Sequence, residues 1–481
     1  MGNRFQGWWL AGWLGAAALA GAPAPVAGAE RALSLEDAIA QALEHNRELV
    51  KGALDVQGSV LAEQRAREEV RGLRIVPEGT AGTGADGGEW GTGLRAEATG
   101  RYGTRVAVAG AARQLEIEGG ADRRREELRV EVEQPLFRNF GPLVRNEPAV
   151  AAGETLLAAR RAWERDRSAL AVRVAELYEG LIRLSGQIAS DEAFAARMEK
   201  LWRLADAREP QGKATRTEVL RMDLQRGEAA LRLETRRSEL DIQFQEFANL
   251  LGLPLDTAFR LTPPALLDLD VADADRALAV ALAERPDYAQ ALQDIETGDR
   301  RLRLARRNLL PDLRLAGRQS TYGEGADWSD AGRLDQDDWF VGLTADVDLN
   351  RRGARLDAAR AELDAEGRRQ VAEIVRHRLA LEVNAATAAY RRAREERRLA
   401  ARNQELAANR AELARALFEA GRAPGDSVSD AEADWVEADL RERAARSEAS
   451  VSAYRLLHAL GTLVPAPREI LRAGKETTAN E

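Results

Sequence analysis

The side chains best suited to chemistry in this 481-residue chain are few and scattered. The three histidines, His45, His377 and His458, fall in separate predicted helices with no metal-ligand spacing around them. Cysteine is absent, which excludes thiol chemistry and disulfides. The sequence contains no nucleophile elbow, and its paired carboxylates are typical of helix-surface charge. These observations disfavour an enzyme and predict neither a cofactor nor a bound metal.

Two other patterns could suggest a ligand site. Residues 82–87 spell G-x-G-x-x-G, but a dinucleotide site needs a strand before that motif and a helix after it. Here Pro77 precedes the motif and further glycines follow, so a mobile loop is predicted. The acids Asp335, Asp337 and Asp338 lack the Gly and terminal Glu of a calcium loop. They are predicted to lie in an exposed, solvated loop.

Three acids stand beside breaks in long helical stretches: Glu218, Asp426 and Asp430. Acids are favoured at helix N-termini by the helix dipole and as caps, which accounts for any one of them without a function. Arranged as a ring around an axis, the same acids would attract cations and repel anions within a Debye length of about 8 Å. The residues alone leave both interpretations open.

The helical stretches that position these acids are unusually long. A run from Gly353 to about Ala420 would measure about 100 Å, and a return helix is predicted over 426–460. Leu399, Leu406 and Leu413 repeat every seventh residue, which is typical of a coiled coil. Between the two arms, the sequence Ala-Gly-Arg-Ala-Pro-Gly breaks the helix. The chain is therefore predicted to form a long helical hairpin with a narrow tip.

The amino-acid composition agrees with this elongated architecture, and the N-terminal sequence indicates export. Charged residues make up 31% of the chain and aromatic residues only 5%, as expected for long helices lying side by side. The first residues are typical of a secretory signal, with Arg4, an apolar segment and an Ala27-Gly28-Ala29 cleavage site. The net charge of −9 argues against nucleic acid as a partner. No stretch after the signal is apolar enough for a transmembrane helix.

The second hairpin has a counterpart earlier in the chain. Gly212-Lys213-Ala214 matches Gly421-Arg422-Ala423, and Leu250-Leu251-Gly252 matches Ala459-Leu460-Gly461, at a constant offset of 209 residues. This predicts a two-fold duplication of helix, β-segment and helical hairpin. The predicted domains are a signal peptide (1–29), a first repeat (30–265, tip near 209–219), a second repeat (266–465, tip near 420–430) and a C-terminal tail (466–481).

Each repeat also carries β-like sequence, about 91–137 in the first and 313–349 in the second. One face of the last segment carries apolar Trp339, Val341, Leu343 and Val347, whereas Phe340, Thr344 and Asp346 lie on the other. A half-buried soluble sheet would show the same alternation. Two strands per repeat make a poor soluble sheet, however, and a barrel built from several chains would remove their edges.

The order of these motifs resembles the TolC-like outer-membrane efflux proteins. The resemblance rests on segments spread over nearly the whole chain after the signal: Leu33-Ser34-Leu35-Glu36-Asp37-Ala38, Gln134-Pro135-Leu136-Phe137, Leu250-Leu251-Gly252-Leu253-Pro254 and Leu309-Leu310-Pro311-Asp312-Leu313. It implies a mainly α fold with a β-barrel segment, long helical hairpins, and four transmembrane strands per protomer in a twelve-stranded trimeric barrel. In such a barrel the face with Trp339, Val341, Leu343 and Val347 is predicted to meet lipid. The chain departs from the family pattern in Val347-Asp348-Leu349-Asn350, where a Pro-Leu-Phe turn is common, and in having few aromatic girdle residues.

The resemblance also implies a function and partners. The chain would be the outer-membrane channel of a tripartite efflux pump or type I secretion system, a passive conduit served by a periplasmic adaptor and an inner-membrane pump. The alternative is a soluble periplasmic coiled-coil scaffold or adaptor without a barrel. The implied gate residues at the periplasmic tip are Glu218, Asp426, Asp430, Arg422 and Phe418, and the implied hairpin turns are Gly212, Gly421 and Pro424. The exported substrate is not indicated by the sequence.

Overall fold

The computed structural model describes residues 31–84, 87–116, 122–211, 215–269, 274–419 and 425–464. The predicted signal peptide, the predicted tail and the hairpin-tip positions Gly212, Gly421, Arg422 and Pro424 lie outside these residues. No helix in the described ranges combines the length and the hydrophobicity needed to cross a bilayer.

Helices account for most of the described chain. They are α1 (Leu35–His45), α2 (Arg47–Arg71), α3 (Pro142–Arg145), α4 (Glu147–Arg208), α5 (Arg216–Leu250), α6 (Ala274–Glu284), α7 (Pro286–Arg307), α8 (Trp328–Ala331), α9 (Arg352–Glu419) and α10 (Gly425–Leu460). The strands are β1 (Arg31–Leu33), β2 (Arg74–Gly84), β3 (Gly87–Thr99), β4 (Arg105–Leu115), β5 (Arg123–Pro135), β6 (Phe259–Leu261), β7 (Asp312–Gly325) and β8 (Gln336–Asp346).

Two long antiparallel hairpins, α4 with α5 and α9 with α10, confirm the predicted repeat of coiled arms. The return arms begin at Arg216 and Gly425, 209 residues apart. They end alike, because Gly252 and Gly461 both adopt left-handed conformations, with φ of 71° and 76°. After each glycine the next N–H returns to a carbonyl of the last helical turn, at 2.9 and 3.0 Å. The duplicated Leu-Gly sequences therefore stop two equivalent helices in the same way.

The helical start of the chain is capped at two places. The Ser34 hydroxyl accepts the Asp37 N–H at 3.1 Å and donates to its carboxylate at 2.7 Å, which caps α1. The helical path then breaks at Asn46, between α1 and α2. The Asn46 side chain caps α2 and donates to the Leu250 carbonyl at 3.0 Å, which ties the break to the end of the first hairpin. Local capping and a distant acceptor together favour the break.

Two tyrosines fix the hairpins to the segments that follow them. The hydroxyl of buried Tyr178 lies 2.7 Å from the carbonyl oxygens of Leu33 and Thr262, and so holds the parallel strands β1 and β6 against α4. In the second repeat the Tyr390 hydroxyl accepts the Leu269 N–H at 2.9 Å. The main core lies around Tyr178 and includes Leu35, Phe247, Leu251 and Tyr454. Both hairpins are therefore anchored at the ends remote from their tips.

The remaining strands form one antiparallel sheet in the order β2-β3-β4-β5-β7-β8. This sheet has six strands in the described chain, whereas four transmembrane strands per protomer were predicted. The extra pair is the β2–β3 hairpin, whose eleven paired positions run from Arg74 opposite Glu97 to Gly84 opposite Gly87. The strands of the first repeat thus begin at residue 74 rather than near 91.

The glycine-rich motif explains this error. Residues 82–84 were predicted to lie in a mobile loop, but they are the end of β2, and Gly87 begins β3. Glycine and threonine give no alternating apolar pattern there, so the strand signal is weak. The ladder to β3 satisfies the backbone instead. Pro77 fits because β2 is an edge strand of this chain, where a missing N–H is tolerated.

The predicted loop around Asp335 is also shorter than expected. β7 continues to Gly325, α8 follows, and β8 already includes Asp337 and Asp338. Asp337 accepts the Thr321 hydroxyl at 2.8 Å, and Asp338 pairs with Arg318 at 3.2 Å. These two acids therefore belong to cross-strand contacts and not to a solvated loop.

Candidate functional site: the hairpin tips and the two faces of the sheet

The strand register divides the sheet into an apolar face and a charged face. On the apolar face Leu128, Val130 and Val132 of β5 lie in the same rows as residues of the other strands. Many of these side chains are exposed in the single chain. The larger members of this apolar face are Ile75, Leu94, Val106, Val108, Leu128, Val130, Val132, Leu313, Leu315, Trp339, Val341 and Leu343.

The charged face carries ion pairs that link neighbouring strands. Glu133 of β5 accepts from Arg314 of β7 at 3.0 Å and pairs with Arg105 of β4 at 3.4 Å. Arg105 also reaches Glu97 of β3 at 3.0 Å. Most of these groups are partly exposed, so each pair is worth about 0 to 1 kcal/mol. Their joint effect is a polar wall of both signs that requires water.

The residues predicted to contact lipid occupy the apolar face of β8. Trp339, Val341 and Leu343 alternate with Phe340 and Thr344 on the charged face, as the sequence pattern indicated. Trp339 is 72% exposed and Leu343 64% exposed in the single chain. Val347 lies just beyond the end of β8 and is also exposed.

The predicted gate residues lie at the far ends of the hairpins. Glu218 is in the first turn of α5, Asp426 is at the start of α10, and Phe418 is near the end of α9. The side chains of these three residues are not among those described. Asp430 is exposed one turn into α10. Both tips therefore combine a helix end with nearby acids, and the gating role of these residues stays a prediction.

Ion pairs that the sequence did not reveal hold the arms together below the tips. Arg226 of α5 stacks on Trp202 of α4, 4.2 Å from the ring centroid, and pairs with Glu199 at 3.4 Å. In the second hairpin Arg410 of α9 pairs with Asp434 of α10. Each contact joins an arginine on one arm to an acid or an aromatic ring on the facing arm. It could therefore be identified only once the pairing of the arms was known. These contacts fix the register of the arms that carry the tips.

The three histidines remain apart in the structure. No group of three or more His, Cys, Asp or Glu in the described ranges is arranged to hold a metal ion. His458 is partly buried near the end of α10, where its Nδ1 lies 2.7 Å from the Ser168 hydroxyl of α4. Its pKa is lowered by burial and by the nearby Arg285. This histidine therefore belongs to the contact between the two repeats.

Solved structures share this architecture. The outer-membrane channel CmeC of Campylobacter jejuni matches with a TM-score of 0.69 and 14% identity, over 92% of this chain and 88% of that one. VceC, an outer membrane protein of Vibrio cholerae, matches with a TM-score of 0.66 and 17% identity, over 89% and 96%. The outer-membrane channel OprN matches with 0.66 and 17%, over 89% and 90%. At such identities these matches show the fold alone.

Sequence comparison adds a family match over the second repeat. No match was found among curated proteins. Residues 277–462, which include α7, the strands β7 and β8, and the whole second hairpin, match the family model described as outer membrane efflux protein. The first repeat likewise runs from a pair of helices through strands into a long hairpin, with two more strands. The second repeat of the chain is therefore similar to the outer membrane efflux protein family.

Proposed function

We propose that the chain is the outer-membrane channel of a tripartite efflux pump or a type I secretion system. The observation that carries this proposal is the two-faced sheet, which is continuous with two helical hairpins whose outgoing helices measure about 90 to 100 Å. An exposed apolar face on one side and an ion-paired face on the other suit a wall between lipid and water. The protein would act as a passive conduit without catalytic residues.

The functional unit is proposed to be a homotrimer spanning the outer membrane. One sheet leaves β2 and β8 with unpaired outer edges within the described chain, and such edges are closed in a barrel. In this arrangement Trp339, Val341, Leu343 and Val347 face lipid. The helical repeats, 30–265 and 266–465, would extend as a tunnel into the periplasm. In detergent the protein should have the mass of three chains, and a stable folded monomer at micromolar concentration would overturn the trimer.

The hairpin tips are proposed as the gate and as the contact with a periplasmic adaptor and an inner-membrane pump. Glu218, Asp426, Asp430, Arg422 and Phe418 would line the closed end, with Gly212, Gly421 and Pro424 keeping the turns narrow. A single exposed ion pair contributes about 0 to 1 kcal/mol. Contacts of that size are weak enough for a docking adaptor to replace.

Planar lipid bilayers test this proposal against the soluble scaffold. The purified protein, added from detergent, should produce discrete conductance steps, because a conduit provides a water-filled path. A periplasmic scaffold would leave the bilayer conductance unchanged. The exposed apolar rows of the sheet favour the conduit, since they would promote aggregation of a soluble scaffold.

A further inference from the structure

The outer edges of β2 and β8 match each other across a boundary between two copies of the chain. β2 (Arg74–Gly84) and β8 (Gln336–Asp346) each contain eleven residues. They also run in opposite directions along the sheet, because six antiparallel strands place an odd number of steps between them. Strands of equal length and opposite direction can form an antiparallel ladder, in which Pro77 of β2 supplies no donor.

The side chains of the two strands are also complementary when the strands are aligned end to end. Arg74 would then face Asp346, which pairs opposite charges at the end of the sheet nearest the helices. Apolar rows meet apolar rows and charged rows meet charged rows, since this register keeps the faces of both sheets continuous. Small Ala81 would lie opposite the large Trp339, a pairing that fits without a clash.

We propose that three copies close one barrel through this β2–β8 seam, with six strands from each copy and eighteen in total. The inference rests on the proposed trimeric channel and changes its dimensions. Barrel diameter grows roughly in proportion to strand number, from about 24 Å between opposite backbones for twelve strands to about 36 Å for eighteen. The membrane-spanning part is therefore about half as wide again as the resemblance alone implies, and its charged wall encloses a broad aqueous chamber.

The absence of cysteine from the sequence allows a direct test, since two introduced thiols would be the only ones. The seam pair is Val76→Cys with Thr344→Cys. Within one copy these positions are five strand spacings apart, about 24 Å, which is far beyond disulfide reach. A disulfide between them must therefore join two copies. The matched control is Ala107→Cys with Thr344→Cys, which would meet only if β4 were the closing edge of a twelve-stranded barrel.

Both variants should be oxidised in outer membranes and run on non-reducing gels, and their masses in detergent should be measured separately. The seam pair is expected to give covalent dimers and trimers, while the β4 pair stays monomeric on the gel. Cross-linking of the β4 pair, or of neither pair in a protein with trimeric mass, would overturn the eighteen-stranded barrel and leave the channel proposal intact. A monomeric mass for both variants would instead overturn the trimer and, with it, the seam.

Discussion

Leu343 and Thr344 are neighbours in β8 that lie on opposite faces of the sheet. If the apolar face meets lipid, Leu343→Arg places a charge in the bilayer and costs about 2 to 4 kcal/mol near the midplane. Thr344→Arg should be tolerated, because its face is polar and carries Asp312 and Asp346 beside Arg314. Trimer yield and resistance to heat in detergent measure the difference. Equal behaviour of the two variants would show that the faces have been assigned wrongly.

At the tips, Asp426→Ser together with Asp430→Ser should loosen the gate and lower cation preference. The reason is electrostatic, because each acid would be repeated three times around the axis within a Debye length of about 8 Å. Folding and trimer yield should not change, since both positions lie in the first two turns of α10 and Asp430 is exposed. Conductance and cation selectivity in planar bilayers provide the measurement. A double variant equal to wild type in both would identify these acids as ordinary helix caps.

His458 introduces a dependence on pH. Its pKa is lowered in the folded protein, so the unfolded chain binds more protons as the pH falls through its ordinary value of about 6.5. Stability is therefore lost as the pH falls from neutral into this range. Arg285, Asp287 and Glu382 surround the imidazole and set the size of the effect.

The midpoint of thermal unfolding of the wild-type protein should accordingly fall between pH 7.5 and pH 5.5. The midpoint of the His458→Gln variant should fall less over the same range. His45 is a matched control, because its side chain is largely exposed, so His45→Gln should keep the wild-type slope. If His458→Gln retained the full slope, the pH dependence would arise from other groups.

Among the elements, the long hairpins could be predicted from the sequence and the joints between them could not. The Gly-Pro breaks are local signals, and α9 and α10 begin and end within a few residues of the expected positions. The heptad residues Leu399, Leu406 and Leu413 are exposed in the single chain, so they do not form the seam between the two arms. The joint of α7 with α4 depends instead on distant residues. Buried Arg300 reaches both Glu147 and Glu154, about 150 positions earlier in the chain. Nothing in the local sequence marks this arginine among the many on helix surfaces.

This joint gives a prediction for the two helices. Arg300→Ala should destabilise the protein by about 3 to 5 kcal/mol, because it leaves two poorly exposed carboxylates without their partner. Arg306 on the same helix is the control. Its pair with Glu362 is largely exposed, so Arg306→Ala should cost about 0 to 1 kcal/mol. Thermal unfolding followed by circular dichroism at 222 nm compares them. Similar losses for both variants would exclude a special role for Arg300.

For the whole molecule, sequence reasoning identified the repeat, the two-faced strands and the fold, but it missed the β2–β3 hairpin. The alternation in β5 and β8 is visible because branched apolar residues mark one face. The β2–β3 hairpin is held by a ladder of backbone hydrogen bonds, which glycine and threonine join without leaving a periodic pattern. Backbone pairing of β2 with β3 thus fixed a hairpin that side-chain periodicity does not indicate. The gate residues remain predictions, because side-chain positions at the tips are mostly outside the described set.

The central claim is that the two-faced sheet places the chain within the outer membrane. Washing isolated outer membranes with carbonate or urea tests it most directly, since these treatments release proteins held by surface contacts and leave those embedded in lipid. The wild-type chain should stay in the membrane pellet after both washes. Its release into the supernatant would rule out an embedded sheet and favour a periplasmic scaffold.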